Sequence, residues 1–234
     1  MDMISEMKIK IPPLAEQKQI AEYFTHLDNA ISAQETKLKS WRDAKKAMLQ
    51  KIFAQEYFFT QDNGDKFPAW QEKTLGEVAP LQRGFDLPST KLKNGKYPVV
   101  YSNGILNYHD SYKCEGEAVI TGRSGTIGKV FYLENCKYWA HNTTLWVTDF
   151  KNNYPKFIYY LFQTIPIKNY SAGTGVPTLN RNDLHEHILN LPCLEEQKKI
   201  AEYFSSLDRI IDAENKMLEN LRLMKKGLLQ KLFV

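Results

Sequence analysis

Residues 12–53 read PPLAEQKQIAEYFTHLDNAISAQETKLKSWRDAKKAMLQKIF, and residues 192–233 repeat them as PCLEEQKKIAEYFSSLDRIIDAENKMLENLRLMKKGLLQKLF. The copies align without a gap at an offset of 180 and agree at 22 of 42 positions, including Ile20–Phe24 against Ile200–Phe204. A gapless match of that length is an internal repeat, so any fold for the chain must place one element twice.

Each copy has the periodicity of a long helix. Pro12 and Pro192 suit a helix start, where a missing N–H costs nothing. Alternating steps of four and three give Ile20, Phe24, Leu27, Ile31, Gln34, Leu38, Trp41, Lys45, Met48 and Ile52 in the first copy. The same walk gives Ile200, Phe204, Leu207, Ile211, Glu214, Leu218, Leu221, Lys225, Leu228 and Leu232 in the second. Eight of ten positions are apolar in each copy, and the two exceptions fall at the same places. That is a coiled-coil seam, and polar seam residues commonly fix register or partner. A helix of about 40 residues is about 60 Å long and cannot bury such a stripe alone. Antiparallel pairing of one copy with the other is the expected arrangement, and contact with another chain is the alternative.

Between the copies the character of the sequence changes. Residues 55–65 form a connector, with Asn63-Gly64-Asp65 as turn chemistry and an aromatic run, Tyr57-Phe58-Phe59, expected to tuck against the insert. Residues 66–190 read as one mixed, strand-rich domain. Asn94-Gly95 and Asn103-Gly104 are hairpin-type turn signals. Short strands are expected at 97–101, 118–120, 130–133 and 143–148, with helices at 156–164 and 182–187 and a loop at 171–177. Residues 1–11 align with the stretch before the second copy, and both alternate like a last strand feeding a helix. The organisation expected is therefore a residual strand or tail of a preceding module at 1–11, a spacer helix at 12–54, the connector at 55–65, the domain at 66–190 and a second spacer helix at 191–234. The class is α+β: a mixed globular domain flanked by two long helices forming an antiparallel coiled coil.

The net charge of +4 sits in the insert. Residues 66–190 hold 14 Lys and Arg against 10 Asp and Glu, while the flanking segments hold 9 against 10 and 8 against 7. The three cysteines, Cys114, Cys136 and Cys193, form no CxxC pair, which speaks against a disulfide framework and a zinc site and for a reducing compartment. The expected setting is the cytoplasm, with no membrane-spanning segment.

Searches for catalytic chemistry fail in specific ways. Gly122–Lys129 lacks the first glycine and the final Ser or Thr of a phosphate loop. Ser171–Gly175 has neither the preceding strand nor the acidic residue of an AdoMet loop. Asn190-Leu-Pro-Cys193 departs from a methyltransferase tetrad at its second position and recurs as Lys10-Ile-Pro-Pro13. His185 and His187 have no third ligand of suitable spacing. No enzyme is expected. What the insert offers is basic and amide-bearing residues in turns: Arg83, Lys91, Lys93, Lys96, Asn103, Arg123, Ser124, Thr126, Lys129, Asn142, Arg181 and Asn182. Tyr101, Tyr108 and Tyr138 are interleaved. Arg and Lys reach phosphates and guanine edges and Asn suits adenine, so these residues are the candidate DNA-binding set.

The arrangement resembles the specificity subunit of type I restriction–modification systems. The resemblance rests on Pro-x-Leu-x-Glu-Gln-Lys-x-Ile-Ala at 12–21 and 192–201, each opening a long helix. In the insert it rests on Trp70-x-x-x-x-Leu75-Gly76-Glu77-Val78, on Arg123–Gly128 and on Gly175–Asn180 followed by Asp183-Leu184. It implies a target recognition domain that reads one half of a split double-stranded DNA target. It also implies helices that space the half-sites and dock DNA adenine methyltransferase subunits, and a motor-nuclease subunit that joins for cleavage. AdoMet, Mg and ATP are then expected only on those partner subunits, and no cofactor or metal on this chain. A full family member has two recognition domains, whereas this chain has one, in the order helix–domain–helix, like a C-terminal half or a half-size form. Association of two copies through the helices is the corresponding expectation. The alternatives are a coiled-coil adaptor without DNA specificity and the reader domain of a fused methyltransferase or nuclease.

Overall fold

The computed structural model describes residues 11–172 and 177–232; all but the last residue of the strand or tail expected at 1–11, and most of the loop at 171–177, fall outside them. The elements are α1 (Leu14–Phe53), β1 (Gln71–Thr74), α2 (Leu75–Val78), β2 (Leu81–Arg83), β3 (Tyr97–Tyr101), β4 (Gly104–His109), β5 (Cys114–Gly122) and β6 (Val130–Ala140), then β7 (Thr144–Val147), α3 (Pro155–Phe162), β8 (Ser171–Ala172), β9 (Thr178–Leu179), α4 (Arg181–His185), β10 (Ile188–Leu191) and α5 (Leu194–Leu232). They form two compact units, one from residues up to 46 together with those from 206, the other from 47–205.

The first unit is a helix pair. Leu38, Ile211 and Leu218 are buried together, with Ile31 and Trp41 packed against them. Direction follows from the polar contacts. Lys45, late in α1, bonds Asp208, early in α5, while Asp28 bonds Lys225. Arg42 donates to Asn215 at 2.9 Å and Arg222 to Glu35 at 2.6 Å. The helices are antiparallel, as the repeated seam predicts. The two polar seam positions are used inside the pair, Gln34 against Glu214 at 2.6 Å and each lysine against an aspartate of the other helix. Of the second-copy seam only Leu232 is exposed, at 46%. The register that sets Gln34 opposite Glu214 sets it opposite Glu16, in the polar first turn of α1.

The second unit is built on a six-stranded sheet in the order β2-β7-β5-β6-β3-β4. All neighbours are antiparallel except β3 and β6, which run parallel through Val99–Trp139 and Val100–Ala140. Its core gathers Val100, Ala118, Ile120, Tyr138 and Ala140. Helix α3 starts at Pro155 and buries Phe157, Ile158, Tyr160, Leu161 and Phe162. The first turns of α5 belong to this unit: Ile200 and Phe204 are fully buried, and the Phe204 ring lies 5.1 Å from that of Tyr160. Gln197 donates to the Pro192 and Asn153 oxygens and accepts from the Tyr154 N–H. The Trp70 indole N–H donates to Glu196 at 2.9 Å. Burial pushes the Glu196 carboxyl above its usual range, and that indole bond opposes the shift.

Three local expectations are corrected. Asn94-Gly95 is no hairpin; a Cβ at Gly95 would stand 2.1 Å from the His109 carbonyl, so glycine is required there by a close backbone approach. The strands expected at 118–120 and 130–133 are the centre of β5 and the start of β6, both much longer because their more polar continuations also pair across the hairpin. In the aromatic run Phe59 packs against Tyr203 of α5 and carries the Tyr57 ring edge-on at 5.5 Å, while Tyr57 and Phe58 stay exposed.

Candidate nucleic-acid interface

Several of the candidate residues sit on or beside neighbouring turns that backbone hydrogen bonds tie together. The β5–β6 turn folds tightly over Gly122, where a Cβ would stand 1.8 Å from the Thr126 carbonyl. The same turn is anchored to the β6–β7 turn: the N–H groups of Arg123 and Ser124 both donate to the Thr143 carbonyl, at 2.8 and 3.1 Å. It is anchored again to the segment before α4, because the Leu179 N–H donates to the Arg123 carbonyl at 2.8 Å and Ser124 bridges Thr178. The β3–β4 turn joins them through the Ser102 N–H, which donates to the Thr143 hydroxyl at 3.3 Å.

These connections bring Arg83 from β2, Arg123 from the β5–β6 turn and Arg181 from α4 to the walls of one cleft of about 430 Å³, with Asn180 and Leu145 also lining it. Asn180 caps α4, its side chain accepting from the Asn182 N–H at 3.0 Å, and so sets where Arg181 begins the helix. Among the described residues neither Arg123 nor Arg181 has a carboxylate within ion-pair distance. Arg83 does: its Nη2 donates to Asp86 at 2.9 Å, and Asn142 donates to the same oxygen.

A second cleft of about 660 Å³ adjoins Asp86 and takes in Lys91 and Lys93 together with Lys113, Asp110 and Trp139. The Lys113 ammonium lies 5.4 Å from the Trp139 ring centroid. The remaining candidates are more dispersed. Lys96 is exposed on the loop before β3, its ammonium 5.4 Å from the Tyr97 ring. Asn103 is exposed in the β3–β4 turn and Lys129 at the end of the glycine turn. Thr126 and Ser124 are half-buried, so their backbone shapes the turn. Of the interleaved aromatics, Tyr108 is 51% exposed, Tyr101 stacks on His141 with centroids 4.2 Å apart, and Tyr138 is core. A core tyrosine cannot stack on a base.

Sequence reasoning missed Asp86, Lys113 and Asn180. The first two are signalled only by contacts across the sheet. Asn180 ahead of Asp183 had a readable signal, since Asn is a strong N-cap. The histidines of the 185–187 pair are engaged by neighbours. His185 Nε2 accepts from the Leu81 N–H at 2.8 Å, and burial, helped by the Arg181 charge, holds its pKa below the usual value. His187 Nδ1 meets the Tyr170 hydroxyl at 2.7 Å, and burial lowers its pKa too. Among the described residues no three His, Cys, Asp or Glu side chains converge as metal ligands, and no helix is long and apolar enough to cross a membrane.

The arrangement of sheet, turns and long helices has counterparts among known proteins. A specificity-subunit structure from M. genitalium superposes with a TM-score of 0.66 at 20% identity, covering 94% of this chain and 61% of that one. A chain from a structure concerned with complex assembly and conformational transition of the type I R-M system gives 0.61 at 17% identity, over 94% and 60%. In sequence, the type I restriction enzyme MjaVIII specificity subunit of Methanocaldococcus jannaschii is 25% identical over 97% of this chain and 61% of its own length. The MjaIX specificity subunit of the same organism is 28% identical over 78% and 48%. The chain thus spans about half to three fifths of the length of the relatives it matches. The family model described as the type I restriction modification DNA specificity domain matches residues 1–40 and 69–223. The chain belongs to the type I restriction modification DNA specificity domain family.

Proposed function

We propose that the chain reads one half of a bipartite duplex DNA target for a type I restriction–modification complex and performs no chemistry itself. The observation that carries this reading is the convergence of Arg83, Arg123 and Arg181 from three separate elements on one cleft. Bringing three guanidinium groups together without a compensating carboxylate for two of them is unfavourable unless a polyanion arrives, and a phosphate backbone supplies it. In this reading the residues 66–190 are the target recognition domain and the long helices are the spacer on which methyltransferase subunits dock. The motor-nuclease subunit joins them, and AdoMet, Mg and ATP are held by those partners in the cytoplasm.

A second copy of the chain is the remaining partner of this reading. The helix surfaces outside the seam supply a face for it. Tyr23 and Leu229 are 50% and 41% exposed, whereas their repeat counterparts are covered, Tyr203 by Phe59 and Leu49 at 8% exposure. Light scattering at micromolar concentration tests the association, and a strict monomer with and without methyltransferase subunit would rule it out.

Duplex binding by fluorescence anisotropy across a salt series tests the function. A DNA reader shows log K falling linearly with log salt, by about 0.9 for each phosphate neutralised. Affinity indifferent to salt would instead assign the chain to protein–protein adaptation.

A further inference from the structure

Asp86 stands where the two basic clefts meet, and its charge opposes the function of both. Its Oδ1 accepts from Arg83 Nη2 at 2.9 Å and from the carboxamide of Asn142. Nothing in packing demands it, because its side chain is 66% exposed. An exposed ion pair of this kind contributes little to stability. On a surface that meets phosphates, a carboxylate lowers total affinity by cancelling one cation.

Its geometric effect is larger. A guanidinium has five N–H donors in a rigid fork, and Asp86 occupies one of them while fixing the plane of the rest. Asn142 is likewise restrained on one amide hydrogen and keeps its carbonyl oxygen and second N–H for another partner. Arg123 and Arg181, without such a carboxylate, stay on flexible stems suited to phosphates anywhere along a backbone. Arg83 is the arginine of the cleft that is aimed. A fixed guanidinium matches the paired O6 and N7 acceptors of guanine, and an oriented carboxamide matches a neighbouring base edge.

We propose that Asp86 is a positioning residue for sequence discrimination, holding Arg83 against a guanine of the half-site with Asn142 beside it, so that it adds specificity while subtracting from overall DNA affinity. The inference rests on the reading of the chain as a DNA reader.

The test is selection of bound duplexes from a random pool by the full chain and by Asp86→Ala, Arg83→Ala and Asn142→Ala, at one salt concentration. Affinities for the selected duplex and for random-sequence duplex are then measured. The unchanged chain is expected to enrich a guanine whose replacement by 7-deazaguanine, which lacks the N7 acceptor, weakens binding about tenfold. Asp86→Ala, which removes the acceptor, should lose that preference and become insensitive to the replacement, while binding random duplex as tightly or more tightly. Arg83→Ala should lose the same guanine, and Asn142→Ala should relax an adjacent position. Retention of the full guanine preference by Asp86→Ala overturns the proposal, as does an equal loss on selected and random duplex. Salt-independent or absent duplex binding by the unchanged chain would overturn the DNA reading itself. Circular dichroism of each variant confirms the fold.

Discussion

The carboxamide of Gln34 donates to the carboxylate of Glu214 at 2.6 Å and to the Glu214 carbonyl at 3.0 Å, and the two residues hold the same place in the two copies of the repeat. A position that pairs with its own repeat mate lies on a local two-fold axis. The contacts on either side obey that axis: Lys45–Asp208 is matched by Lys225–Asp28, and Arg42–Asn215 by Arg222–Glu35. The symmetry is broken at the axis itself, by Gln against Glu. Lys37 breaks it again, reaching Glu214 at 2.7 Å where the second copy has Met217. Pairing α5 with another α5 would set Glu214 against Glu214 without that lysine, so the sequence difference favours pairing of unlike copies.

The axis makes the helix pair sensitive to acid. The Glu214 carboxyl is held below its ordinary value of 4.5, first by the hydrogen bond from Lys37 and then by that from Gln34. A depressed folded pKa contributes stability that is present above the ordinary value and lost as pH falls through the folded one. Thermal unfolding followed at the helix band should therefore decline below pH 4.5, and less steeply in Glu214→Gln. An identical decline in that variant would show that the axis pair is not the titrating element.

Leu38 anchors the seam at 4% exposure, and Leu223, on the outer face of α5, is 65% exposed. Leu38→Ala should cost about 2–5 kcal/mol, since it removes buried methyl groups and leaves a cavity between two constrained helices. Leu223→Ala should stay within about 0.5 kcal/mol. Denaturant unfolding distinguishes them, and equal effects would mean that the seam is misassigned.

Gln17 and Gln197 are repeat mates that close the same turn, each donating to the proline carbonyl five residues earlier. Gln197 is buried and also serves Asn153 and the Tyr154 N–H. Gln197→Ala leaves these groups unpaired in the interior, at about 1–3 kcal/mol. Gln17 is exposed, so Gln17→Ala should stay within about 0.5 kcal/mol. A chemical-denaturation pair of these two variants reads the difference directly.

What was legible in the sequence is what repeats or alternates. The helices, their antiparallel pairing and the role of the polar seam positions follow from a period of 3.5 read twice. The six-stranded sheet was only partly legible. Four of its six strands were located from their apolar runs while β2 and β4 were not, and the parallel β3–β6 pairing joins Val99 to Trp139, which no local pattern signals. The arginines were identified as candidates by type and turn location. Their convergence was not legible, because Arg83, Arg123 and Arg181 are brought together by bonds to Thr143 and Leu179 from other turns. The role of Asp86 was not legible either, because its partners Arg83 and Asn142 are set beside it only by the fold.

Arg123 and Arg181 should behave as phosphate ligands rather than base readers, because no carboxylate among the described residues fixes either guanidinium. Replacing either with Ala should weaken selected and random duplex alike and lower the salt slope by about one unit. Replacing either with Lys should restore most of the loss, since a point charge suffices for a phosphate and the forked geometry is not used. Asn180→Ala offers an independent check. It removes the cap of α4, a loss of about 0.5–2 kcal/mol confined to a five-residue helix. Arg181 then starts from a frayed turn, so affinity should fall by less than in Arg181→Ala while the guanine preference persists. A variant of Arg123 or Arg181 that shifts the selected sequence without changing the salt slope would reverse these roles and make the shifted arginine the base reader.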